Sequence, residues 1–312
     1  MVRFLSFATF AAFALIPSAA DSPKDAFAVA VVRRDGVLIP FAAFDGKRWT
    51  NSWPPPRLDL QIPVTIGSVP KSWWGPTPPL PEWQIWPLDR TGDPQTVKVT
   101  QPDWIDAHCV RQIGLRTNYR SALPVPPPAE QPYPKDALAI SPPHAIERIE
   151  VISAGADGAS ALASGLRGRF NGAERETASY FDHPVGRRIR EAIEPEIEAM
   201  YTFGDAPPAY YVEASRRYPM PGQRQCLVAF GTGWFVRDVS NGGSAKWHEM
   251  AVDLLPCNKY GATYMLPLGA IRAAGRTFWL VQYAGWNNER YVVIDVKNNR
   301  VEAMVSTWGG GC

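Results

Sequence analysis

The chain lacks the short motifs by which many enzymes and cofactor-binding proteins are recognised. Its 312 residues include four histidines and four cysteines, without the C-x-x-C or H-E-x-x-H spacing typical of zinc sites. The glycine-containing stretches at 165–172, 231–234 and 241–244 do not match a phosphate loop or a dinucleotide fingerprint, and no G-x-S-x-G motif occurs. We therefore expect no cofactor and no metal, and the sequence favours a protein that is not an enzyme.

A strong excess of charge of one sign is also missing. The chain has 32 Lys and Arg residues against 30 Asp and Glu residues, which gives a net charge of +2. The basic residues are scattered along the chain, so nothing indicates a nucleic-acid partner. After the first twenty residues no uninterrupted apolar run reaches the length of a membrane helix, and we expect no membrane span in the mature chain.

The first twenty residues have the layout of a secretory signal peptide. Arg3 precedes an apolar run over 4–16, and Ser18 and Ala20 are small residues at plausible cleavage-site positions. The sequence therefore predicts a signal peptide over 1–20 and a protein that is secreted or periplasmic after its removal.

The four cysteines suit an oxidising compartment. An even number in an exported chain favours two disulfides, for which three connectivities exist. We prefer Cys226–Cys257, which closes a moderate loop in a β-rich region, with Cys109–Cys312. His108 beside Cys109 resembles a Cys–His nucleophile, but a paired and inert cysteine is favoured.

Residues 26–53 predict an antiparallel meander. Alternating apolar segments are separated by two Asp-Gly dipeptides, which are typical of two-residue hairpin turns. Pairing through these turns places Val29 opposite Ala42 and puts Trp49 and Trp53 on one buried face. Pro40 would fall in the central strand, where a bulge is expected.

The rest of the chain predicts a mainly β fold. After residue 208, candidate strands recur at roughly ten-residue spacing, as in a sandwich, barrel or propeller. The fold class expected is mainly β, with antiparallel meanders (sandwich or propeller-like), a Pro/Trp-rich wrapping segment and one short helical insert. The glycine-rich stretch at 155–172 is interpreted as a loop.

The helical insert is predicted at 182–201. Isoleucines recur there at helical spacing, and Pro195 should kink or end the helix. On such a helix Glu191, Glu194 and Glu198 would share one side. Carboxylates so arranged can bind metal or transfer protons, but a solvated charged face is favoured.

The predicted organisation has four parts. A signal peptide at 1–20 precedes a meander and Pro/Trp-rich region at 21–120, a proline-rich linker at 121–136, and a β-rich region at 137–312. One continuous domain over 21–312 is the alternative.

The best candidate for a binding surface lies in the Pro/Trp-rich segment. Trp73, Trp74, Trp83 and Trp86 are close together in a stretch that contains many prolines. Exposed indole faces stack well on sugar rings or extended peptides. The alternative is that these rings fasten an irregular loop to the β core. Trp286, at a predicted hairpin tip, has the same two interpretations.

A weak catalytic candidate is the group His248, Glu249 and Asp253, whose side chains could serve as base, acid and orienting group. Strand alternation would send His248 and Glu249 to opposite faces, so a non-catalytic histidine is favoured.

The functional prediction is an exported, non-enzymatic binding module for a glycan, peptide or cell-envelope partner, acting through aromatic loops. The alternative is a secreted, glycosidase-like hydrolase whose acidic residues come from separate loops. A structural envelope protein fits the same residues.

Overall fold

A computed structural model describes residues 26–56, 64–74, 82–89, 93–125, 133–153, 157–180, 182–203, 209–218, 226–238, 244–297 and 300–312. The predicted signal peptide lies outside these residues. None of the helices in these ranges is long and apolar enough to span a membrane.

The first sheet is barrel-like. Its strand order is β1-β7-β4-β5-β6-β2-β3, and an additional β1–β2 pairing joins strands near its two ends. The strands are β1 (Phe27–Arg33), β2 (Val37–Phe44), β3 (Trp49–Thr50), β4 (Glu82–Pro87), β5 (Gln95–Ala107), β6 (Val110–Thr117) and β7 (Lys135–Ser141).

Two further antiparallel sheets follow. The five-stranded sheet has the order β12-β11-β10-β9-β8, and the four-stranded sheet is the meander β13-β14-β15-β16. Their strands are β8 (Glu150–Val151), β9 (Glu196–Phe203), β10 (Ala209–Tyr218), β11 (Leu227–Asp238), β12 (Ser244–Pro256), β13 (Tyr264–Ala273), β14 (Arg276–Ala284), β15 (Asn288–Lys297) and β16 (Arg300–Gly311). The helices are α1 (Lys71–Trp74), α2 (Asp157–Thr177) and α3 (Arg187–Arg190). The prediction of a mainly β, antiparallel fold is confirmed.

The four-stranded sheet lies between the other two because strand alternation gives it two apolar faces. Phe278 and Leu280 on β14 pack into a core shared with the barrel. Trp279 and Val281, the alternate residues, pack with Trp234 of the five-stranded sheet. The outer face of the five-stranded sheet is covered by α2.

The first hairpin follows its prediction closely. Val29 pairs with Ala42 as expected, and the register then shifts so that Ala30 pairs with Pro40. Phe41 is therefore the extra residue, and the bulge expected at Pro40 lies one position later.

Trp49 and Trp53 are both buried, but they do not share a face. β3 ends at Thr50, so strand alternation does not extend to the second tryptophan. Trp49 packs edge-on against Phe278 in the core shared with the four-stranded sheet. Trp53 packs in a separate core and donates its indole N–H to the Ile113 carbonyl at 2.9 Å.

The long helix α2 lies where the sequence predicts a loop. Its glycines lower helix propensity, but Leu162, Leu166 and Phe170 recur every four residues and are all buried against the five-stranded sheet. Packing of this stripe outweighs the local propensity. Gly231 leaves room for the helix, because a Cβ there would lie 2.7 Å from the Phe170 ring.

The helix predicted over 182–201 is wrong for most of its length. Only the short α3 is helical, and β9 begins at Glu196. Pro195 disfavours the helical conformation for the residue before it, and from 196 onward the exposed and inward residues alternate as in a strand. Glu191, Glu194 and Glu198 therefore do not share a helix face. Glu191 pairs with Arg175 and Arg187, and Glu194 pairs with Arg167.

The barrel crosses the predicted boundary between 121–136 and 137–312. β7 starts at Lys135 and pairs with both β1 and β4, so the C-terminal region supplies a barrel strand. Residues 126–132 of the predicted linker lie outside the described ranges.

The two disulfides have the preferred connectivity. Cys109 bonds to Cys312 with a Cα–Cα distance of 5.0 Å, and Cys226 bonds to Cys257 with a Cα–Cα distance of 5.2 Å. The first joins the β5–β6 turn of the barrel to the end of β16. The second joins the neighbouring strands β11 and β12.

Candidate functional site

The tryptophans predicted to form a binding surface are mostly core residues. Trp73 is 3% exposed and Trp83 is fully buried, while Trp86 is partly buried against the core. The side chain of Trp74 lies outside the described part of the structure. Trp83 lies on β4, which is paired on both sides, so this proline-rich segment forms a barrel strand. The faces of Trp73 and Trp83 are not available to a ligand.

The candidates His248, Glu249 and Asp253 lie on β12, at the edge of the five-stranded sheet. The register shift between Trp234 and Phe235 makes His248 the extra residue of a bulge, and its side chain is outside the described part. Glu249 and Asp253 are exposed and lie four residues apart on an extended strand, a separation of about 13 Å. A histidine that acts as a base beside Glu249 would therefore be too far from Asp253 to be oriented by it.

Exposed aromatic side chains instead concentrate around the four-stranded sheet. Tyr260, Tyr264, Trp286 and Trp308 are 49%, 39%, 56% and 45% exposed, and we call these four residues the aromatic surface. The rings of Tyr260 and Trp286 lie 4.6 Å apart between centroids and are inclined by 48°.

Short turns fix two members of the aromatic surface. Trp286 lies in the β14–β15 turn, which closes with a 2.9 Å hydrogen bond from Gly285 N to Asn288 O. Tyr260 lies in the loop after β12, and its amide donates to Asn258 Oδ1 at 3.1 Å. This loop begins at the Cys226–Cys257 disulfide.

Trp308 reaches the same turn from β16. A Cβ placed on Gly311 would lie 3.2 Å from the indole nitrogen of Trp308 and 3.2 Å from Asn287 O. The short distances bring Trp308 close to the chain segment that carries Trp286. Gly311 provides the space that this approach needs.

Two glutamates lie between the five-stranded and four-stranded sheets, and we call Glu198 and Glu213 the carboxylate pair. On β9, Ala199 pairs with Glu213 and Ile197 pairs with Ala214, which leaves Glu198 as the extra residue of a bulge. The bulge places Glu198 beside Glu213 on the neighbouring strand.

The two carboxylates have different partners. Glu213 is 4% exposed and accepts a 2.8 Å hydrogen bond from the Met265 amide of β13. Glu198 accepts hydrogen bonds from the Lys259 ammonium and the Ser215 hydroxyl.

Burial raises the pKa of Glu213 to about 7, and the negative charge of Glu198 adds to the rise. The Met265 N–H and the Lys259 charge act in the opposite direction. Glu213 therefore exchanges its proton near neutral pH.

Tyr264 and Lys259 connect the carboxylate pair to the aromatic surface. Burial raises the pKa of the Tyr264 hydroxyl, and the charges of Glu198 and Glu213 raise it further. The Tyr264 ring also lies 5.1 Å from Phe230, over which the Lys259 ammonium lies at 5.7 Å. Aromatic faces, an ammonium and two carboxylates thus occupy one region.

The chain matches no protein-family model, no curated protein and no solved structure. A functional assignment therefore rests on the geometry of these side chains. Within the described residues, no three His, Cys, Asp or Glu side chains form a group that could hold a metal ion.

Sequence signals for this site were present but weak. Trp286 falls at a predicted hairpin tip, and Glu213 interrupts the apolar run of β10, which is the pattern of a buried carboxylate. The association of Tyr260 with Trp286 depends on tertiary packing and leaves no local pattern.

Proposed function

We propose that this chain is an exported protein that binds a glycan through the aromatic surface. The observation that carries the proposal is the Tyr260–Trp286 pair, with both rings about half exposed and in mutual contact. Isolated exposed aromatics are ordinary on protein surfaces, but a cluster of large apolar side chains marks interaction sites.

The chemistry around the rings favours a sugar over a purely apolar partner. An aromatic face packs against the C–H face of a pyranose, and the indole N–H and tyrosine hydroxyl are available as polar contacts. Lys259 can donate hydrogen bonds to sugar hydroxyls, and Glu198 can accept hydrogen bonds from them. The two disulfides are consistent with an oxidising, extracytoplasmic compartment.

A sedimentation assay with insoluble polysaccharides (cellulose, chitin and bacterial cell-wall sacculi) tests the proposal. We expect the purified protein to sediment with at least one of them, and Trp286→Ala and Tyr260→Ala to reduce the bound fraction strongly. Tyr180→Ala is the matched control, because Tyr180 is 81% exposed just after α2, on the opposite side of the five-stranded sheet. Equal loss in all three variants, or no binding by the wild type, would contradict the proposal.

A second function, hydrolysis of the bound glycan, is favoured by the different environments of the two carboxylates. Glu213 has a pKa of about 7, while Glu198 is ion-paired with Lys259. A carboxyl group with a pKa near neutral can act as a general acid, and a neighbouring carboxylate can act as a general base. We propose that Glu213 donates a proton to the glycosidic oxygen as the C1–O bond breaks, and that Glu198 takes a proton from the attacking water.

The second function is measured by the release of reducing ends from the polysaccharide to which the protein binds. Glu213→Gln keeps the shape of the side chain and should abolish release while the sedimented fraction stays unchanged. Binding without release by the wild type would rule out hydrolysis and leave the binding function standing.

A further inference from the structure

A separate cavity of about 260 Å³ lies at one end of the barrel. It is lined by the β1–β2 turn, the end of β4, the start of β5, the residues after β6 and the start of β7. The cavity therefore lies where both ends of the predicted proline-rich linker, 121–136, meet the barrel. None of the residues of the aromatic surface or the carboxylate pair lines it.

The cavity contains an arginine that is held in place by a buried carboxylate. Arg34 donates from Nε to Asp136 Oδ1 at 3.1 Å, and the Tyr119 hydroxyl donates to Asp136 Oδ2 at 3.3 Å. The Asp136 side chain is 9% exposed. Burial raises the pKa of Tyr119 to about 12, so this hydroxyl keeps the proton that it donates.

The hydrogen bond to Asp136 uses one of the three guanidinium nitrogens of Arg34. Among the described residues, no group accepts a hydrogen bond from Nη1 or Nη2 of Arg34, and its side chain is 22% exposed. An arginine oriented by a carboxylate from one side presents its remaining N–H groups as a preorganised fork for an anion.

A second guanidinium lines the same cavity. Arg120 is exposed and makes no ion pair with any residue in the described ranges. Lys135 also lines the cavity, but its ammonium lies 2.9 Å from the Glu289 carboxylate. Arg34 and Arg120 are therefore the two guanidinium groups that line the cavity, whereas the charge of Lys135 is already paired.

The rest of the lining indicates the size and character of a ligand. Leu88 and Leu123 offer apolar contact, whereas the Gln95 amide offers a polar group. Pockets for drug-sized ligands typically have volumes of about 300–1,000 Å³, so a cavity of about 260 Å³ suits a smaller molecule.

We infer that this cavity binds a small hydroxycarboxylic acid of the size of one sugar acid. The carboxylate of the ligand lies between Arg34 and Arg120, a hydroxyl donates to the side-chain carbonyl of Gln95, and its carbon skeleton contacts Leu88 and Leu123. The inference does not depend on the proposed glycan function, because the two sites share no residue.

Isothermal titration of the full chain with D-glucuronate and with D-glucose tests it, since the two sugars differ in one carboxylate. Glucuronate should bind and glucose should not. Arg120→Gln, at an exposed position, should weaken glucuronate binding about tenfold or more, the loss expected from one charge-assisted hydrogen bond pair. Arg34→Lys keeps the charge but loses the planar fork, and should weaken binding to a similar degree.

Two control variants make the result decisive. Arg116→Gln alters an exposed arginine of β6 that pairs with Asp103 outside the cavity, and Trp286→Ala alters the aromatic surface; both should bind glucuronate as the wild type does. The inference is overturned by equal binding of glucose, by no glucuronate binding at 10 mM (about 3 kcal/mol of binding free energy), or by unchanged affinity in Arg120→Gln and Arg34→Lys.

Discussion

Glu198 is the bulged residue of β9 that stands beside Glu213 on β10. A regular ladder would put successive residues of β9 on alternate faces, and the extra residue brings a second carboxylate towards the first. The Lys259 ammonium and the Ser215 hydroxyl donate hydrogen bonds to Glu198, and the charge of Glu198 contributes to the raised pKa of Glu213. Glu213, a buried acid with a pKa of about 7, and the aromatic surface therefore lie in one region, where the five-stranded and four-stranded sheets meet.

Glu213 should make stability depend on pH. Its folded pKa of about 7 exceeds the ordinary glutamate value of 4.5, so the folded state holds the proton more tightly than the unfolded state. The stabilising contribution is complete below about pH 4.5 and is lost as pH rises through 7. The difference corresponds to roughly 3 kcal/mol.

Glu213→Gln removes this titration. Urea unfolding at pH 5 and pH 8 should show that the variant loses about 2 to 3 kcal/mol less than the wild type over this interval. Glu249→Gln, an exposed glutamate of the same sheet, is the control and should follow the wild type. An identical pH dependence in Glu213→Gln would show that Glu213 titrates normally.

The two disulfides should stabilise the fold unequally. Cys109–Cys312 spans 203 residues and Cys226–Cys257 spans 31, and the chain-entropy model gives about 5 and 4 kcal/mol for these loops. Replacing both cysteines of each bridge by serine and comparing urea unfolding checks the order. A larger loss from the 226–257 bridge would contradict it.

A tryptophan in the barrel and one in the aromatic surface should behave oppositely. Trp83→Ala removes a fully buried ring and should cost about 3–5 kcal/mol of unfolding free energy without abolishing glycan binding by the folded fraction. Trp286→Ala should change stability by less than about 0.5 kcal/mol and strongly reduce binding. If Trp83→Ala is as stable as the wild type, the barrel assignment of β4 is wrong.

The contact between α2 and the five-stranded sheet can be tested with two glycines. A Cβ at Gly231 would lie 2.7 Å from the Phe170 ring, whereas nothing lies within 4 Å of a Cβ at Gly168. Gly231→Ala should therefore destabilise the protein by about 1–3 kcal/mol. Gly168→Ala, in the helix, should stabilise it by about 0.5–1 kcal/mol. Thermal unfolding of both variants is sufficient, and destabilisation by Gly168→Ala would argue against a helix at 157–177.

Local patterns predicted the parts of the fold that local interactions determine. The Asp-Gly turn and the alternation around it correctly placed Val29 opposite Ala42. The same reasoning failed for α2, because its glycines suggest a loop while burial of Leu162, Leu166 and Phe170 stabilises a helix. The hairpin was predicted correctly because its own residues determine its secondary structure. The helix α2 was not, because its secondary structure depends on packing against the sheet.

The candidate site could not be assembled from sequence for the same reason. Tyr260, Trp286 and Glu198 come from a loop, a hairpin turn and a bulge that are distant along the chain. The indoles of the tryptophan-rich segment lie close together in sequence, which suggests a binding surface, yet Trp73 and Trp83 fill the core of the barrel.

Indole N–H signals in a two-dimensional NMR titration report directly on whether the aromatic surface binds the glycan. The soluble oligosaccharide of whichever polysaccharide sediments with the protein would be added to the ¹⁵N-labelled chain, with Trp286→Ala and Trp83→Phe used for assignment. We expect the Trp286 and Trp308 signals to shift with a saturable dependence on ligand while those of Trp73 and Trp83 stay in place. Shifts confined to the buried tryptophans, or a saturable titration that leaves Trp286 unmoved, would contradict this expectation.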